Sequence, residues 1–357
     1  MPDDLLELRD AAAAFEHIEE WLAGRGFFSP GGADLVAEVY LGYALSQSIR
    51  RSQSAAPPEP CPALPLAACR IGSAHGHDRP SAALAVGAWE RSWTAAEYRC
   101  AIEEVRDAIA RGDVYQVNLV QHLQAPFAGD PHALATRLAP LRPLHPDAFV
   151  AEGWAVVSAS PELFLARRGD RIRTMPIKGT RPRGGAAELR ASAKDAAEHT
   201  MIVDLERNDL SRVCAPATVR WPELMATHEL AGVEHMVSTV EGTLRPAIGL
   251  AQILRATFPG GSVTGAPKIA AVDLIAELEP VGRGASMGAL GRVYGNGDFD
   301  LALTIRTFAV ADGTIHLWVG GGIVWDSDSA AEVEESWTKA RPLLAAIGSR
   351  VPEATLV

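Results

Sequence analysis

A carboxylate and an amine bracket a turn near the middle of the chain. Ala155 to Ser160 and Leu163-Phe164-Leu165 read as one strand, Arg168-Gly169-Asp170-Arg171 as a turn, and Ile172 to Ile177 as the returning strand. A three-residue loop sets Glu162 opposite Lys178 on one sheet face. Such a pair is either a cross-strand surface salt bridge or an acid and a nucleophile serving one substrate. The apolar flanks, and the turn that Gly179-Thr180 imposes after Lys178, weigh against the surface reading.

More carboxylates follow. A helix from near Glu188 to about Leu205 has Ala197, Met201 and Leu205 as its apolar stripe, with Ile202 beside it. Glu198 then lies at the edge of the buried face, with Asp195 one turn earlier. A carboxylate there is costly unless paired or metal-bound. A second cluster holds Glu332, Glu334 and Glu335; Ser329 to Glu332 reads as a capping box, and the stripe Val333, Trp337, Leu344 turns Glu335 outward. Carboxylates on two helices suit a hard ion such as magnesium; two solvated helix faces are the plainer alternative.

Anion chemistry is signalled elsewhere. Phe258 to Lys268 is a glycine-rich loop entering a helix of about 267–279, with Pro267 at its first position, and such termini bind anions. Ala266 stands where a phosphate loop needs lysine, which removes the nucleotide-triphosphate reading. Arg306 sits in an apolar, Thr-rich strand of roughly 301–310, and Gly320-Gly321-Gly322 ends the next strand. Together they suggest recognition of a small dicarboxylate; alternatively, Arg306 pairs with a protein carboxylate and the glycines form a bulge.

These residues need a scaffold. Residues 1–50 read as partly helical, with Phe15, Ile18, Trp21 and Leu22 spaced for packing. Residues 51–90 are rich in Ala, Pro and Ser and read as a loose connection or weak strand region. Pattern density rises from about residue 93, with a helix over 94–111 ending near Gly112 and then a strand with Val114, Gln116, Asn118 and Val120 on one side. The division expected is a short N-terminal region, 1–92, contributing to the same fold, and a catalytic domain, 93–350.

The bulk numbers set limits. The chain has 357 residues, is 48% hydrophobic and carries a net charge of −11, enough for a large core and unfavourable for nucleic acid or anionic membranes. No stretch approaches the ~20 apolar residues of a membrane helix, and the acidic start lacks a signal-peptide layout. Cys61, Cys69, Cys100 and Cys214 are scattered, which reads as a cytoplasmic protein with free thiols.

Several long motifs, in order, resemble the chorismate-utilising enzymes: Gly112 to Leu119, Ser160-Pro161-Glu162, Pro176 to Thr180, Ile202 to Leu210, the loop 258–268, Thr304 to Thr307 and Gly320 to Val324. The resemblance covers about 95–345. It implies an α+β fold of two large antiparallel-type sheets packed face to face with helices outside. It implies magnesium held at Glu198 and Glu335, with Glu332 and Asp195 beside them, and Glu162 as the acid that protonates the leaving hydroxyl. It makes His235 an active-site histidine and puts the substrate near Gln116, Thr180, Thr264, Gly265, Arg306, the 320–322 backbone and Lys339.

Two positions speak to the branch. Relatives that add water carry Lys where this chain has Gln116, which opposes isochorismate and salicylate chemistry. Lys178, where anthranilate synthases typically carry Ala, resembles component I of aminodeoxychorismate synthase. There the lysine attacks the ring, and ammonia then displaces it to give 4-amino-4-deoxychorismate, the precursor of 4-aminobenzoate and folate. That role needs an unprotonated lysine, which a desolvated site beside a cation is expected to favour. Arg292 replaces the family's usual Tyr, the N-terminal part is short, and no tryptophan-pocket motif is found in it. No cysteine lies in a glutaminase elbow, so ammonia is expected from a separate glutamine amidotransferase subunit. The rivals are an anthranilate or aminodeoxyisochorismate synthase, and a non-catalytic chorismate-binding subunit; retention of Glu162, Glu198 and Glu335 opposes the last.

Overall fold

The computed structural model describes residues 4–72, 83–230 and 233–350. Among these, the strands form two sheets of ten and eight members, and their pairings are antiparallel. Where the sheets meet, the Tyr40 ring of the larger lies 5.9 Å from the Trp154 ring of the smaller, within one apolar cluster that runs through both sheets. The smaller sheet's other face buries Leu123, Val157, Phe308 and Leu317 against the helices Pro131–Leu138 and Ser329–Ala346, which supply Leu134, Leu138, Trp337, Leu343 and Leu344. This is the expected α+β arrangement, with apolar stripes driving each layer together.

The strand Gln116–Gly129 runs through the smaller sheet beside Thr314–Ile323, with Asn118 opposite Gly322. Both Gln116 and Val117 are buried, so alternation along this strand does not separate inside from outside. The helix Ala95–Arg111 before it has a capping box of Thr94 and Glu97 and stops at Gly112, where φ is 82°. N-terminal strands Leu5–Leu8, Val36–Leu41 and Ala67–Ile71 join the larger sheet, and Val36–Leu41 pairs with Ala289–Tyr294.

Several expectations are corrected. The single strand over 155–165 is two: Trp154–Ser158 belongs to the smaller sheet and Leu163–Arg168 to the larger, with 159–162 crossing between them. The strand over 301–310 divides likewise into Phe299–Leu303 and Thr307–Ala311, joined by a second crossover in which Arg306 has φ 52°. Both halves are buried, so a change of sheet leaves no trace in hydropathy. The two crossovers bond to each other: Ala159 N–H donates to the Arg306 carbonyl at 2.9 Å, and Leu303 N–H to the Glu162 carbonyl at 3.0 Å.

The turn at Gly169-Asp170 has two residues, with Arg171 opposite Arg168 and a bulge between Arg173 and Met175. Ile177–Pro182 then pairs with Val233–Thr243. Glu162 and Lys178 are therefore not cross-strand partners. The helix expected over 188–205 is Ala186–Ala191 and Ala193–Ser211, broken at Ser192, whose side chain caps the second helix through Asp195 N–H. Its buried face carries His199, Ile202, Val203, Glu206, Asp209 and Leu210, while Ala197 is exposed. Apolar periodicity chose the wrong stripe because the inward face is half polar. Asp328, not Ser329, caps the helix Ser329–Ala346, and Pro267 caps Lys268–Leu278 from outside.

Candidate active site

The two crossovers bring Glu162 and Arg306 together. Glu162 is 3% exposed and accepts Ile177 N–H at 3.4 Å. Burial raises its pKa above the usual carboxylate range, against the opposing pull of Lys178 and a hydrogen bond from Ser262. The Arg306 guanidinium is half-buried and makes no hydrogen bond or ion pair with the described residues; burial lowers its pKa while Glu162 acts on it through space. A guanidinium left so is prepared for an anion.

Lys178 follows the crossing strand into the same cluster. Its Nζ lies 3.2 Å from the Ser262 carbonyl and 3.3 Å from Glu198 Oε1. Burial disfavours its charge, but Glu198 and Glu162 outweigh burial and raise the pKa. Among the protein's own groups the carboxylates favour the charged ammonium; the neutral amine expected above was conditional on a cation beside it.

Glu198 also accepts from Gln116 Nε2 at 2.9 Å, and Gln116 Oε1 is buried with no partner among the described residues. The glycine triplet fits closely against these groups. A Cβ on Gly322 would lie 2.0 Å from Gln116 Nε2 and 2.8 Å from Glu198 Oε1. One on Gly321 would lie 3.1 Å from Lys339 Nζ and 3.3 Å from Glu335 Oε1, and one on Gly320 would meet the Leu119 carbonyl at 2.0 Å. Gly320 gives its carbonyl to Lys339 Nζ at 2.9 Å, and Lys339 pairs with Glu335 at 2.8 Å. At Gly320 the approach is to backbone and only glycine permits it; at Gly321 and Gly322 the ends of neighbouring side chains would have to shift.

Glu198 and Glu335 therefore flank adjacent glycines. Asp195 pairs with Arg181 at 2.9 Å, and Glu332 accepts the Ser327 hydroxyl at 2.6 Å. Among the described residues no three His, Cys, Asp or Glu side chains gather closely enough to enclose a metal. Magnesium typically takes only one or two protein carboxylates and fills its octahedron with water and substrate. Glu198, with the orphaned Gln116 oxygen beside it, fits as one such carboxylate.

His235 is buried opposite Thr180, its Nδ1 3.3 Å from the Gly179 carbonyl; burial and then Arg306 lower its pKa, so it is neutral. The Thr180 side chain lies outside the described residues. Thr264 is fully buried and turns its hydroxyl back to the Gly260 carbonyl at 2.9 Å, while Gly265 pairs with Val117. Arg292 bonds Asp147 at 2.8 Å.

Sequence reasoning missed Glu206, His199 and Ser262. His199 bonds Ser238 at 2.6 Å, and burial then Lys178 push its pKa down to about 4. Glu206 accepts the Thr174 hydroxyl at 2.9 Å, and burial, then repulsion from Glu162, push it up to about 8. The signal was there: Glu198, Ile202 and Glu206 repeat at four-residue steps, one position from the stripe that hydropathy favoured.

The family described as chorismate binding enzyme matches residues 36–345. Anthranilate synthase component 1 of Streptomyces coelicolor is 36% identical over 97% of this chain and 67% of its own length. Aminodeoxychorismate synthase component 1 of Salmonella typhimurium is 40% identical over 72% of this chain, spanning 59% of that relative. Among solved structures, anthranilate synthase component I from Streptococcus pneumoniae superposes with a TM-score of 0.77 at 26% identity, covering 86% of this chain and 80% of that one. The menaquinone-specific isochorismate synthase of Escherichia coli, at 18% identity and a TM-score of 0.73, has the same fold. No helix of the described residues is long and apolar enough to cross a membrane.

Proposed function

The chain belongs to the chorismate binding enzymes, and on that premise we propose that it is the component I type of aminodeoxychorismate synthase, making 4-amino-4-deoxychorismate from chorismate and ammonia. One observation supports the choice of branch: Lys178 is half-buried beside Glu198, Glu162 and Ser262, and not on the open surface. In this reading the amine-bearing position takes part in the chemistry.

In this reading Arg306 receives a substrate carboxylate, and Gly320 to Gly322 let the ring approach the backbone. Glu162 suits the general acid because burial favours its protonated form. Its proton goes to the leaving 4-hydroxyl, which departs as water while the Lys178 nitrogen bonds ring carbon 2. Ammonia then bonds carbon 4, the carbon–lysine bond breaks, and the lysine is restored. Lys178 must first lose a proton, which goes to solvent, because Glu198, 3.3 Å away, is engaged with the metal in this reading. Glu198 and Glu335 would hold magnesium, whose charge orients a substrate carboxylate and offsets the hold of Glu198 on the lysine proton. Gln116 offers no base to activate water, consistent with amination. A separate glutamine amidotransferase supplies the ammonia, as the component 1 names of the relatives suggest.

The second reading is an anthranilate-type synthase, favoured by the relative that spans 97% of the chain. Incubation with chorismate, magnesium and ammonium, followed by an aminodeoxychorismate lyase, separates the two. The proposal expects 4-aminobenzoate, and its loss in Lys178→Ala. Anthranilate as the product overturns it.

A further inference from the structure

One polar side chain on the face that carries Gln116 has no part in the roles above. Asn118 lies two residues beyond Gln116 on the strand Gln116–Gly129 and directly opposite Gly322, so the three share one face of the smaller sheet. Its backbone is fixed from two sides: the N–H donates to the Thr264 carbonyl at 2.7 Å, and the carbonyl accepts from Arg283 Nη2 at 2.6 Å. Its side chain is barely committed. Asn118 is 7% exposed, and its Nδ2 meets only the Met287 Sδ, at 3.9 Å. Its Oδ1 accepts nothing from the described residues and, unlike the Gln116 Oε1, is not sealed off. Met287 donates its N–H to the Thr304 carbonyl at 3.0 Å, two residues before Arg306. The amide thus stands between the Gln116–Glu198 pair and the crossover that carries Arg306.

A thioether is a weak acceptor, and a buried amide normally finds better partners. An amide left so is costly in a core position. An apolar side chain such as that of Val120, next along the same face, fills its place without that cost. What the chain holds at 118 is a carbonyl oxygen fixed in position and open beside the groups expected to meet the substrate. Such an oxygen can only accept. The substrate carboxylates have no proton to give it. The donors that remain, in either reading above, are the ring hydroxyl of chorismate and the N–H groups of ammonia.

We infer that Asn118 contacts the reactants, its Oδ1 accepting a hydrogen bond from the ring hydroxyl of chorismate or from ammonia. The inference rests on a site for chorismate and ammonia, which both readings above share, and not on the choice between them. Asn118→Leu removes the acceptor at nearly constant size. Chorismate is titrated into the native and variant chains by calorimetry, with magnesium and without ammonium. KM for ammonium is then measured at saturating chorismate. Chorismate binding weakened roughly tenfold assigns the contact to the hydroxyl; an ammonium KM raised roughly tenfold, with chorismate affinity kept, assigns it to ammonia. Both values unchanged within about twofold would overturn the inference, and so would a fall in kcat alone, which marks a framework residue. Thermal midpoints verify that the variant folds; should it not, Asn118→Ala, which leaves space and no acceptor, is read in the same way. Anthranilate as the native product sinks the choice of branch and leaves this test standing, whereas a native chain that binds no chorismate sinks both.

Discussion

Arg283→Met should destabilise the fold by on the order of 5 kcal/mol. Arg283 is 1% exposed and makes a bidentate pair with Glu279, Nε to Oε2 at 2.8 Å and Nη2 to Oε1 at 2.7 Å. It also donates to the Val263 carbonyl at 2.8 Å and the Asn118 carbonyl at 2.6 Å, tying the glycine loop to the strand that carries Gln116. Methionine fills much of the volume but none of these bonds. It strands the Glu279 carboxylate with only Val120 N–H at 3.0 Å, and breaking a buried pair in this way costs ~3–5 kcal/mol. Two carbonyls losing their donors add roughly 1 kcal/mol each. The total rivals the whole stability of many domains, ~5–15 kcal/mol. Urea unfolding, followed by tryptophan fluorescence and far-UV circular dichroism with coincident transitions, reads the change. Arg283→Met with Glu279→Met should be more stable than Arg283→Met alone, because no charge is then left unpaired. A single-variant cost below ~1 kcal/mol, or a double variant no more stable than the single, would refute the reasoning.

Other outcomes follow from the same geometry. Glu206 has a folded pKa of about 8 against 4.5 for an ordinary glutamate, so the native state binds the extra proton between those values. Its contribution is therefore favourable at low pH and is lost as pH rises from about 4.5 to 8, with a slope of at most ~1.4 kcal/mol per unit. Glu206→Gln should gain stability relative to the native chain from pH 5 to pH 8; a constant gap in denaturation curves would contradict this. Arg306→Lys should raise KM for chorismate at least tenfold, by losing a planar carboxylate partner in a half-buried position, and an unchanged KM argues against that role. Glu162→Gln keeps an acceptor for Ile177 N–H but carries no proton to give, so kcat should fall by at least 100-fold with little change in stability; near-native turnover would remove Glu162 as the acid. Gly322→Ala, whose Cβ would stand 2.0 Å from Gln116 Nε2, should disturb the Glu198 cluster and abolish turnover, which steady-state kinetics will show.

Much was legible in the chain itself, for physical reasons. The helix Ala95–Arg111 was set by its capping box and terminal glycine, which are local devices that need no tertiary partner. Glu162, Lys178, Glu198, Arg306 and Gly320 to Gly322 stood out in the chain by residue type, and their likeness to the family's motifs gave them expected roles. What the chain could not announce was how they meet. Glu162 and Lys178 were expected to face each other across a hairpin, yet a two-residue turn and a bulge break that register. They come together because 159–162 leaves one sheet for the other and Ile177–Pro182 changes partner. A strand that changes sheets keeps the same apolar composition, so only the packed layers decide where it crosses. The inward face of Ala193–Ser211 is similar: Glu206 and His199 are tolerated inside because Thr174 and Ser238 answer them from distant strands. Charge followed the same rule. Residue type alone said nothing of the carboxylates near Lys178, and only the assembled site brings Glu198 to 3.3 Å from its amine.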